Sequence, residues 1–381
     1  MFIYLDNAAT TKPTREVIDS MSKAMEEFYA NPSSSHKLGM SCQKEIDICR
    51  QEIANTIHAS GDEIYFTSCA SEANNLILKG LLKEGTQLIT TSFEHSSSKN
   101  TAAFLEASKS IVTYLSVDSN GLINIDELKA SINKNTVLVS IIYVNNEVGS
   151  IQNLQEIGEV IKKLSPRAKF HVDAVQGYGK LPIDVKKMKI DALTVSAHKI
   201  HGPKGVGFCY IAKGINPTPL IHGGSQEKGL RAGTENLPGI IGLTTASINI
   251  ISKEDANYLK VKQIKEYMIE QLGQIDNIRI NSPLNDSFSP YILNISFIGV
   301  RGEVLMNFLE NEDIFVSTGS ACTSKSKSGF SGSYVLKAMN LSQKEIEGAL
   351  RFSFSPDNTQ EEIDTTIEVL KKGLKLLRRK K

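Results

Sequence analysis

Between residues 60 and 212, short apolar runs alternate with segments of helical spacing, and this alternation constrains the fold more than any other feature of the sequence. The runs are typical of strands, and they cover residues 64–66, 88–90, 112–115, 137–144, 170–172, 192–195 and 207–211. Between most of them apolar residues recur at helical intervals, as at Leu154, Ile157, Ile161 and Leu164. Such alternation predicts an α/β fold with a mostly parallel seven-stranded sheet that is covered by helices on both faces.

The remainder of the chain indicates a second, smaller domain. After a flexible polar bridge at residues 223–234, long helical segments follow with only a few strands, such as residues 291–297. We therefore predict a large domain at residues 15–254 and a small α+β domain made of residues 1–14 and 255–381. A chain of 381 residues is long enough for one large core and a second, smaller one.

Charge and hydropathy narrow the range of functions. The 43 Lys and Arg residues nearly balance the 42 Asp and Glu residues, and this balance argues against direct binding of nucleic acid. The first residues lack the basic start and long apolar run of a signal peptide, and no window is long enough to cross a membrane.

The five cysteines are scattered without a C-x-x-C pair, which favours reduced thiols over a disulfide framework or a zinc site. We expect a cytoplasmic protein with neither a metal site nor a membrane partner.

Lys199 is the first candidate site residue. It ends the string Ser196, Ala197, His198, Lys199, which directly follows the predicted strand at residues 192–195. In sheets of this kind, ligands bind at the carboxyl ends of the strands. A lysine in a partly desolvated pocket near other positive groups holds its proton less tightly and can form a Schiff base with an aldehyde. The aldehyde that we predict is pyridoxal 5'-phosphate (PLP), with Ser196 and His198 as donors to its phosphate. For this string taken alone, a surface lysine beside a turn is the alternative.

Four further strand exits carry groups suited to the same cofactor. The turn at residues 67–72 leads into a helix start, which suits a phosphate, although ordinary capping by a serine explains that turn alone. Asp173 can pair with a protonated pyridine nitrogen or act as a simple cap, and Gln176 can donate to the phenolic oxygen of the ring. His95 can stack on the ring or transfer protons, and Asn146 can donate to the ring oxygen or to a substrate carboxylate. Each group alone is weak evidence for a cofactor site, and together the groups indicate a PLP site.

These motifs also carry a resemblance that runs nearly from end to end of the chain. The matching segments are residues 4–11, 31–34, 144–149, 171–174, 196–199, 231–234 and 351–353. With them the chain resembles the NifS/IscS-type cysteine desulfurases, which belong to the class V branch of the fold-type I PLP enzymes. The resemblance implies the PLP-dependent transferase fold and the removal of sulfur from L-cysteine, which gives L-alanine and a persulfide on the enzyme.

The resemblance assigns roles to individual residues as well. It implies that Lys199 is the Schiff-base lysine, and that Thr234 reaches the phosphate in the neighbouring subunit of a homodimer. The residues that it places against the cofactor are Ala70, Ser71, Asn146, Gln176, Ser196 and His198. For Arg351 the implied role is to bind the substrate carboxylate. The sequence agrees with that role. Arg351 ends a predicted helical run at residues 344–350 and has apolar neighbours, and an arginine in such surroundings needs an anion as partner.

Cys322 lies in the most specific motif, residues 317–324, whose Ser, Gly, Thr and Lys content predicts a mobile loop. A thiol on such a loop can reach the cofactor and then carry sulfur to an acceptor, such as an iron–sulfur scaffold or a thiolation protein. The thiolate is the reactive form, and His95 is our candidate acid/base for it. An idle, exposed cysteine is the alternative for Cys322. For the whole chain the alternatives are a class V aminotransferase, a selenocysteine lyase and a scaffold without turnover.

Overall fold

The structure, a computed structural model, describes residues 2–318 and 332–378. Its first part runs through β1 (Ile3–Tyr4), α1 (Arg15–Glu27), α2 (Lys37–Asn55), β2 (Ile64–Thr67), α3 (Ala70–Leu81), β3 (Gln87–Thr91), α4 (Ser96–Ala107), β4 (Ile111–Leu115), α5 (Ile125–Ser131), β5 (Thr136–Ile142), α6 (Leu154–Leu164), β6 (Lys169–Asp173), β7 (Ala192–Ser196) and β8 (Gly207–Ile211). Its second part runs through α7 (Leu237–Ile251), α8 (Glu254–Leu272), β9 (Ile278–Ile280), β10 (Ile292–Phe297), α9 (Gly302–Glu310), β11 (Ile314–Phe315), α10 (Tyr334–Ala338), α11 (Gln343–Glu347), β12 (Ala349–Ser353) and α12 (Gln360–Leu377).

The central sheet has seven strands in the order β2-β8-β7-β6-β5-β3-β4. Neighbouring strands are parallel except at β8, which is antiparallel to both β2 and β7. The predicted α/β fold with a mostly parallel seven-stranded sheet is therefore confirmed. Since parallel strands end at the same edge, the exits of β3, β5, β6 and β7 lie side by side.

Both faces of this sheet are buried, as the alternation of residues along its strands shows. In β5, Leu138 packs into one hydrophobic cluster with α3 and α4, and the next residue, Val139, packs into another with α1, α2, α6 and α7. Cys209 and Phe208 of β8 divide in the same way. A strand that is covered on both sides must be apolar at consecutive positions, and this explains the continuous apolar runs of the sequence.

A separate hydrophobic cluster lies in the last third of the chain and includes Ile3 and Leu5 from its start. Here β10 pairs antiparallel with β9 and β12, and β1 pairs parallel with β11. The amino-terminal strand therefore packs with the C-terminal elements. The domain boundaries given above, after residues 14 and 254, stay a prediction.

The prediction that Arg351 ends a helical run at residues 344–350 is wrong. The helix α11 ends at Glu347, and Arg351 lies in the middle of β12, opposite Asn294 of β10. Gly348 lies between the two elements as the C-cap of α11, and it leaves no room for a side chain, since a Cβ atom there would lie 2.3 Å from the carbonyl oxygen of Phe297. Periodicity alone does not separate a short apolar strand from the end of a helix, so the pairing with β10 decides the structure.

Within the described parts of the chain, no helix combines the length and the apolar character that crossing a bilayer requires.

Candidate active site

A cavity of about 340 Å³ lies at the carboxyl ends of the parallel strands. The predicted site residues that line it are Ala70, Ser71, His95, Asn146, Asp173, Gln176, Ser196, His198, Lys199 and Arg351. Thr234 does not line the cavity and is exposed on the surface of the single chain. Cys322 lies outside the described residues, so its position stays a prediction. The structure thus brings the polar groups of the separate strand exits into one cavity.

Lys199 reaches the cavity from a short 3-10 turn, Ala197–Lys199, which follows β7 directly. Its Nζ donates hydrogen bonds to the carbonyl oxygens of Ala8 and Ala9, both at 2.7 Å. These bonds hold the amine against the segment that follows β1. The amine therefore lies in the cavity at a defined place, as a nucleophile toward a cofactor aldehyde must.

Asp173, the last residue of β6, is buried at the base of the same cavity. Its Oδ2 accepts a hydrogen bond from Nδ2 of Asn74 at 2.8 Å, and its Oδ1 accepts one from the backbone N–H of Val175 at 3.1 Å. Nδ2 of Asn74 also donates to Oγ of Ser97 at 2.9 Å, and that oxygen lies 2.8 Å from Nδ1 of His95. A hydrogen-bonded chain therefore links the carboxylate to the imidazole.

His95 occupies the N-cap of α4, where its Nδ1 accepts from the backbone N–H of Ser97. Burial lowers the pKa of His95; the positive charge of Lys199 lowers it further, and the carboxylate of Asp173 opposes this shift. The imidazole is therefore neutral near pH 7. Because Nδ1 is occupied as an acceptor, the ring can carry its proton on Nε2 and exchange it with a group in the cavity.

One end of the cavity is suited to a phosphate. Oγ of Ser196 is buried without a hydrogen-bond partner in the described structure, and Cys69 at the start of α3 gives no side-chain cap. The first backbone N–H groups of this helix, at Ala70 and Ser71, therefore lie uncapped at the cavity wall. An unpaired buried hydroxyl next to an uncapped helix start fits the phosphate of PLP.

His198 lies in the same wall, with its Nδ1 3.2 Å from Oγ1 of Thr10. Burial and the nearby charges of Lys199, Lys204 and Lys180 lower the pKa of His198 to about 4. The ring is consequently neutral at physiological pH. It contributes a hydrogen-bonding N–H rather than a positive charge.

Arg351 brings a buried guanidinium group to the cavity wall, and only 5% of the residue is exposed. Its Nη2 donates to Oδ1 of Asp6 at 2.7 Å, and its Nη1 donates to the carbonyl oxygen of Asn146 at 2.8 Å. Its Nε and Oδ1 of Asn146 are both buried without a partner in the described structure. An arginine that is held in place and keeps one unpaired donor is suited to bind a carboxylate.

The sequence prediction missed several residues of the site. Asp6 pairs with Arg351, and Asn74 pairs with Asp173. In both pairs the two residues are far apart in sequence. Lys180, four residues after Gln176, donates from its Nζ to Oε1 of that residue at 3.1 Å. The local signal for Lys180 was its spacing of four residues from Gln176, because this spacing places two side chains on the same side of a helical turn.

Two buried glutamates beside the predicted residues were also missed. Glu94 precedes His95, and its Oε1 accepts from Oγ1 of Thr91 and from the backbone N–H of Ile142. Burial raises the pKa of Glu94 to about 8. Glu147 follows Asn146, and burial raises its pKa to about 7, against the effects of its hydrogen bond from Ser333 and the charge of Arg351. Glu94 thus holds the backbone at Ile142, and Glu147 holds the side chain of Ser333, through carboxyl groups that protonate easily.

The fold and the cavity together define a class of protein: an α/β protein whose cavity at the strand ends carries a lysine, a buried aspartate and an end suited to a phosphate. A family model described as aminotransferase class-V matches residues 3–366, and the chain belongs to this family. Its enzymes depend on PLP, and PLP is therefore the cofactor of this chain.

Comparison with individual proteins gives matches along the whole chain. The cysteine desulfurase IscS of Methanosarcina thermophila is 39% identical over 380 residues, which cover 99% of this chain and 93% of the relative. A solved structure of a NifS-like protein has a TM-score of 0.91 at 36% identity and covers 99% of both chains. A structure of SspA in complex with cysteine has a TM-score of 0.82 at 36% identity, with 94% of this chain and 100% of the other covered.

Proposed function

We propose that this chain is a PLP-dependent cysteine desulfurase. It removes sulfur from L-cysteine, releases L-alanine and passes the sulfur through Cys322 to an acceptor. The observation that carries the proposal is the convergence of Lys199, Asp173, neutral His95 and Arg351 on one cavity with a phosphate end. The full-length similarity to a cysteine desulfurase and to a structure that holds cysteine supports it.

When bound, PLP supplies an electron sink that stabilises negative charge on the substrate carbon next to the amino group. The residues of the chain supply position and proton transfer. Nζ of Lys199, held by Ala8 and Ala9, binds the aldehyde and later moves the proton of the substrate Cα. Asp173 keeps a carboxylate at the base of the cavity, where it stabilises a protonated ring nitrogen.

Arg351 binds and orients the substrate. Its guanidinium group is fixed by Asp6 and by the carbonyl oxygen of Asn146, so binding a carboxylate requires little further ordering. The amide of Asn146 lines the same wall, and its Nδ2 supplies a second hydrogen bond to the carboxylate. Orientation by these two residues directs the side chain of the substrate toward the rest of the cavity.

Cys322 takes the sulfur in this proposal. Two described residues that flank its segment hydrogen-bond to residues in or next to the cavity wall. Ser317 exchanges backbone hydrogen bonds with Arg351, and Oγ of Ser333 donates to Oε2 of Glu147. The Cys322 sulfur attacks the substrate sulfur, so the substrate Cβ–S bond breaks and its electron pair stays with the alanine-forming fragment. Neutral His95 takes or returns the accompanying proton at Nε2.

The experiment incubates the full-length protein, loaded with PLP, with L-cysteine and a thiol reductant, and alanine and sulfide are quantified together. The proposal predicts equal, multiple-turnover release of both products. It also predicts that Cys322→Ala loses sulfide release but keeps bound PLP. The comparison variant is Cys69→Ala, because Cys69 is a described cysteine that lines the cavity. Loss of turnover in Cys69→Ala with full turnover in Cys322→Ala would contradict the role of Cys322.

The same assay separates the alternative functions. A class V aminotransferase would release no sulfide and would convert the visible band of PLP to that of its amine form. A selenocysteine lyase would release alanine from selenocysteine and none from L-cysteine. An inactive scaffold would bind PLP and turn over neither substrate.

We also propose a homodimer in which Thr234 of each chain reaches the phosphate of the other, and a cytoplasmic location with an iron–sulfur scaffold or thiolation protein as acceptor. Thr234 is exposed in the single chain. The segment before it is held by two ion pairs, Glu227 with Arg50 at 2.7 Å and Arg231 with Glu72 at 2.9 Å. Light scattering tests the dimer, and Thr234→Ala should lower PLP affinity without changing the stability of the cofactor-free chain.

A further inference from the structure

Lys180 is a buried lysine at the edge of the site that has no role in the chemistry described so far. It lies seven residues after Asp173, and 6% of the residue is exposed. No carboxylate pairs with it among the residues that the structure describes. Its Nζ donates to Oε1 of Gln176 at 3.1 Å and lies 5.4 Å from the ring centre of Tyr291.

A hydrogen-bonded chain connects Lys180 with Lys199. Oε1 of Gln176 accepts from Lys180, and Nε2 of the same amide donates to the carbonyl oxygen of Ala8 at 2.9 Å. That carbonyl oxygen also accepts from Nζ of Lys199 at 2.7 Å. The two lysines therefore meet through one side-chain amide and one backbone carbonyl.

These hydrogen bonds determine the orientation of the Gln176 amide. An ammonium group can only donate and a carbonyl group can only accept, so Oε1 must face Lys180 and Nε2 must face Ala8. An amide nitrogen carries two N–H bonds, and Ala8 takes one of them. The second remains for an acceptor in the cavity that Gln176 lines.

We infer that Lys180 is a positioning residue, which holds the Gln176 amide so that its remaining N–H bond is presented to the bound cofactor. The inference rests on the proposed function only in taking PLP as the group in the cavity. Lys180 is not among the residues that line the cavity, and it acts through Gln176, which lines it.

The charges around Lys180 agree with this role. The neighbouring groups that interact with it are Lys199, Arg351, His198 and His201, all of them cations or bases. Burial, reinforced by the charges of Lys199 and Arg351, lowers the pKa of Lys180 to about 7. The amine can donate a hydrogen bond to Oε1 of Gln176 in either protonation state, and the carbonyl oxygen of Ala8 can only accept, so the amide keeps its orientation through neutral pH.

A double-mutant cycle on the PLP-loaded protein tests the inference, with Lys180→Met, Gln176→Ala and the double variant. The first readout is the pH midpoint at which the visible band of the bound cofactor changes, and the second is kcat/KM for alanine formation. Each single variant should lower kcat/KM by roughly 10- to 100-fold, as expected for loss of a hydrogen bond involving a charged group. Both should move the midpoint in the same direction, and Lys180→Met should add nothing in the Gln176→Ala background.

The matched control is Lys265→Met. Lys265 is also a buried lysine, its pKa is also lowered to about 7 by burial, and its Nζ also has one acceptor, the carbonyl oxygen of Ser289. It belongs to the C-terminal hydrophobic elements and does not line the cavity. The control should leave the band midpoint unchanged. Lys180→Gln retains a donor and should restore most of the wild-type midpoint. If Lys180→Met does not fold, Lys180→Leu, which also removes the donor, replaces it in the cycle.

Three results would overturn the inference. The fold-changes in kcat/KM of the two single variants could multiply in the double variant, which would show that the residues act independently. Alternatively, Lys180→Met could leave the pH midpoint of the visible band unchanged, or it could shift that midpoint no more than Lys265→Met does. The band measurement involves no sulfur chemistry. A protein that shows the predicted coupling but releases no sulfide would therefore refute the proposed function and leave the inference intact.

Discussion

Replacing Arg351 by lysine should weaken the binding of L-cysteine much more than it weakens the fold. The guanidinium group is buried, donates to Asp6 at 2.7 Å and to the carbonyl oxygen of Asn146 at 2.8 Å, and keeps an unpaired Nε. An ammonium group can retain the ion pair with Asp6 but cannot present the planar fork to a carboxylate. The variant therefore loses at least one charge-assisted hydrogen bond to the substrate.

The size of the effect follows from that bond. A hydrogen bond to a charged group contributes about 1.5–3 kcal/mol. Since each 1.4 kcal/mol corresponds to about a tenfold change in an equilibrium constant, Arg351→Lys should raise KM for L-cysteine about 10- to 100-fold. The initial rate of alanine formation as a function of cysteine concentration measures this directly.

Arg50→Lys provides the matched control. Arg50 is also buried and forms a two-pronged ion pair, with Glu227 at 2.7 and 2.9 Å, but it does not line the cavity. Its variant should lower the melting temperature and leave KM unchanged. If KM in Arg351→Lys stays within about twofold of the wild type while PLP binds normally, Arg351 does not bind the substrate carboxylate.

Three further changes have distinct expected results. Lys265→Met should stabilise the chain at pH 6, and this gain in the free energy of unfolding should shrink by roughly 3 kcal/mol at pH 9, as urea titrations would show. The sign follows because the folded pKa of about 7 lies below the ordinary 10.5, so the wild type gains stability as the pH rises between them. Asp173→Asn should lower PLP affinity on the order of 100-fold, measured by absorbance after dialysis, because it leaves a buried ring cation without its partner. Ser196→Ala should lower PLP affinity about tenfold yet leave the melting temperature of the cofactor-free chain unchanged, since Oγ has no partner among the described residues.

Local patterns in the sequence were sufficient to predict the central sheet. Consecutive apolar residues such as Leu138 and Val139 belong to opposite faces, and a run of this kind is typical of a strand covered by helices on both sides. The parallel direction of the strands then brings Asp173 and Lys199 to one edge without further information. Most of the cavity lining therefore follows from topology.

Contacts between distant parts of the chain could not be predicted in this way. Asp6 meets Arg351 across 345 positions, and Asn74 meets Asp173 across 99. No periodicity within a window reports such pairs. The strand that carries Arg351 was mistaken for a helix for a related reason, because its identity depends on pairing with β10 rather than on its own residues.

In the proposed reaction, sulfur passes from L-cysteine to Cys322 with release of alanine. The most direct test adds L-cysteine to the PLP-loaded protein without reductant or acceptor, then measures alanine and maps the protein by mass spectrometry. About one alanine per chain should form, together with the mass of one added sulfur atom on the peptide that contains Cys322. Alanine without added sulfur on that peptide, or added sulfur on Cys69 in its place, would contradict the proposed reaction.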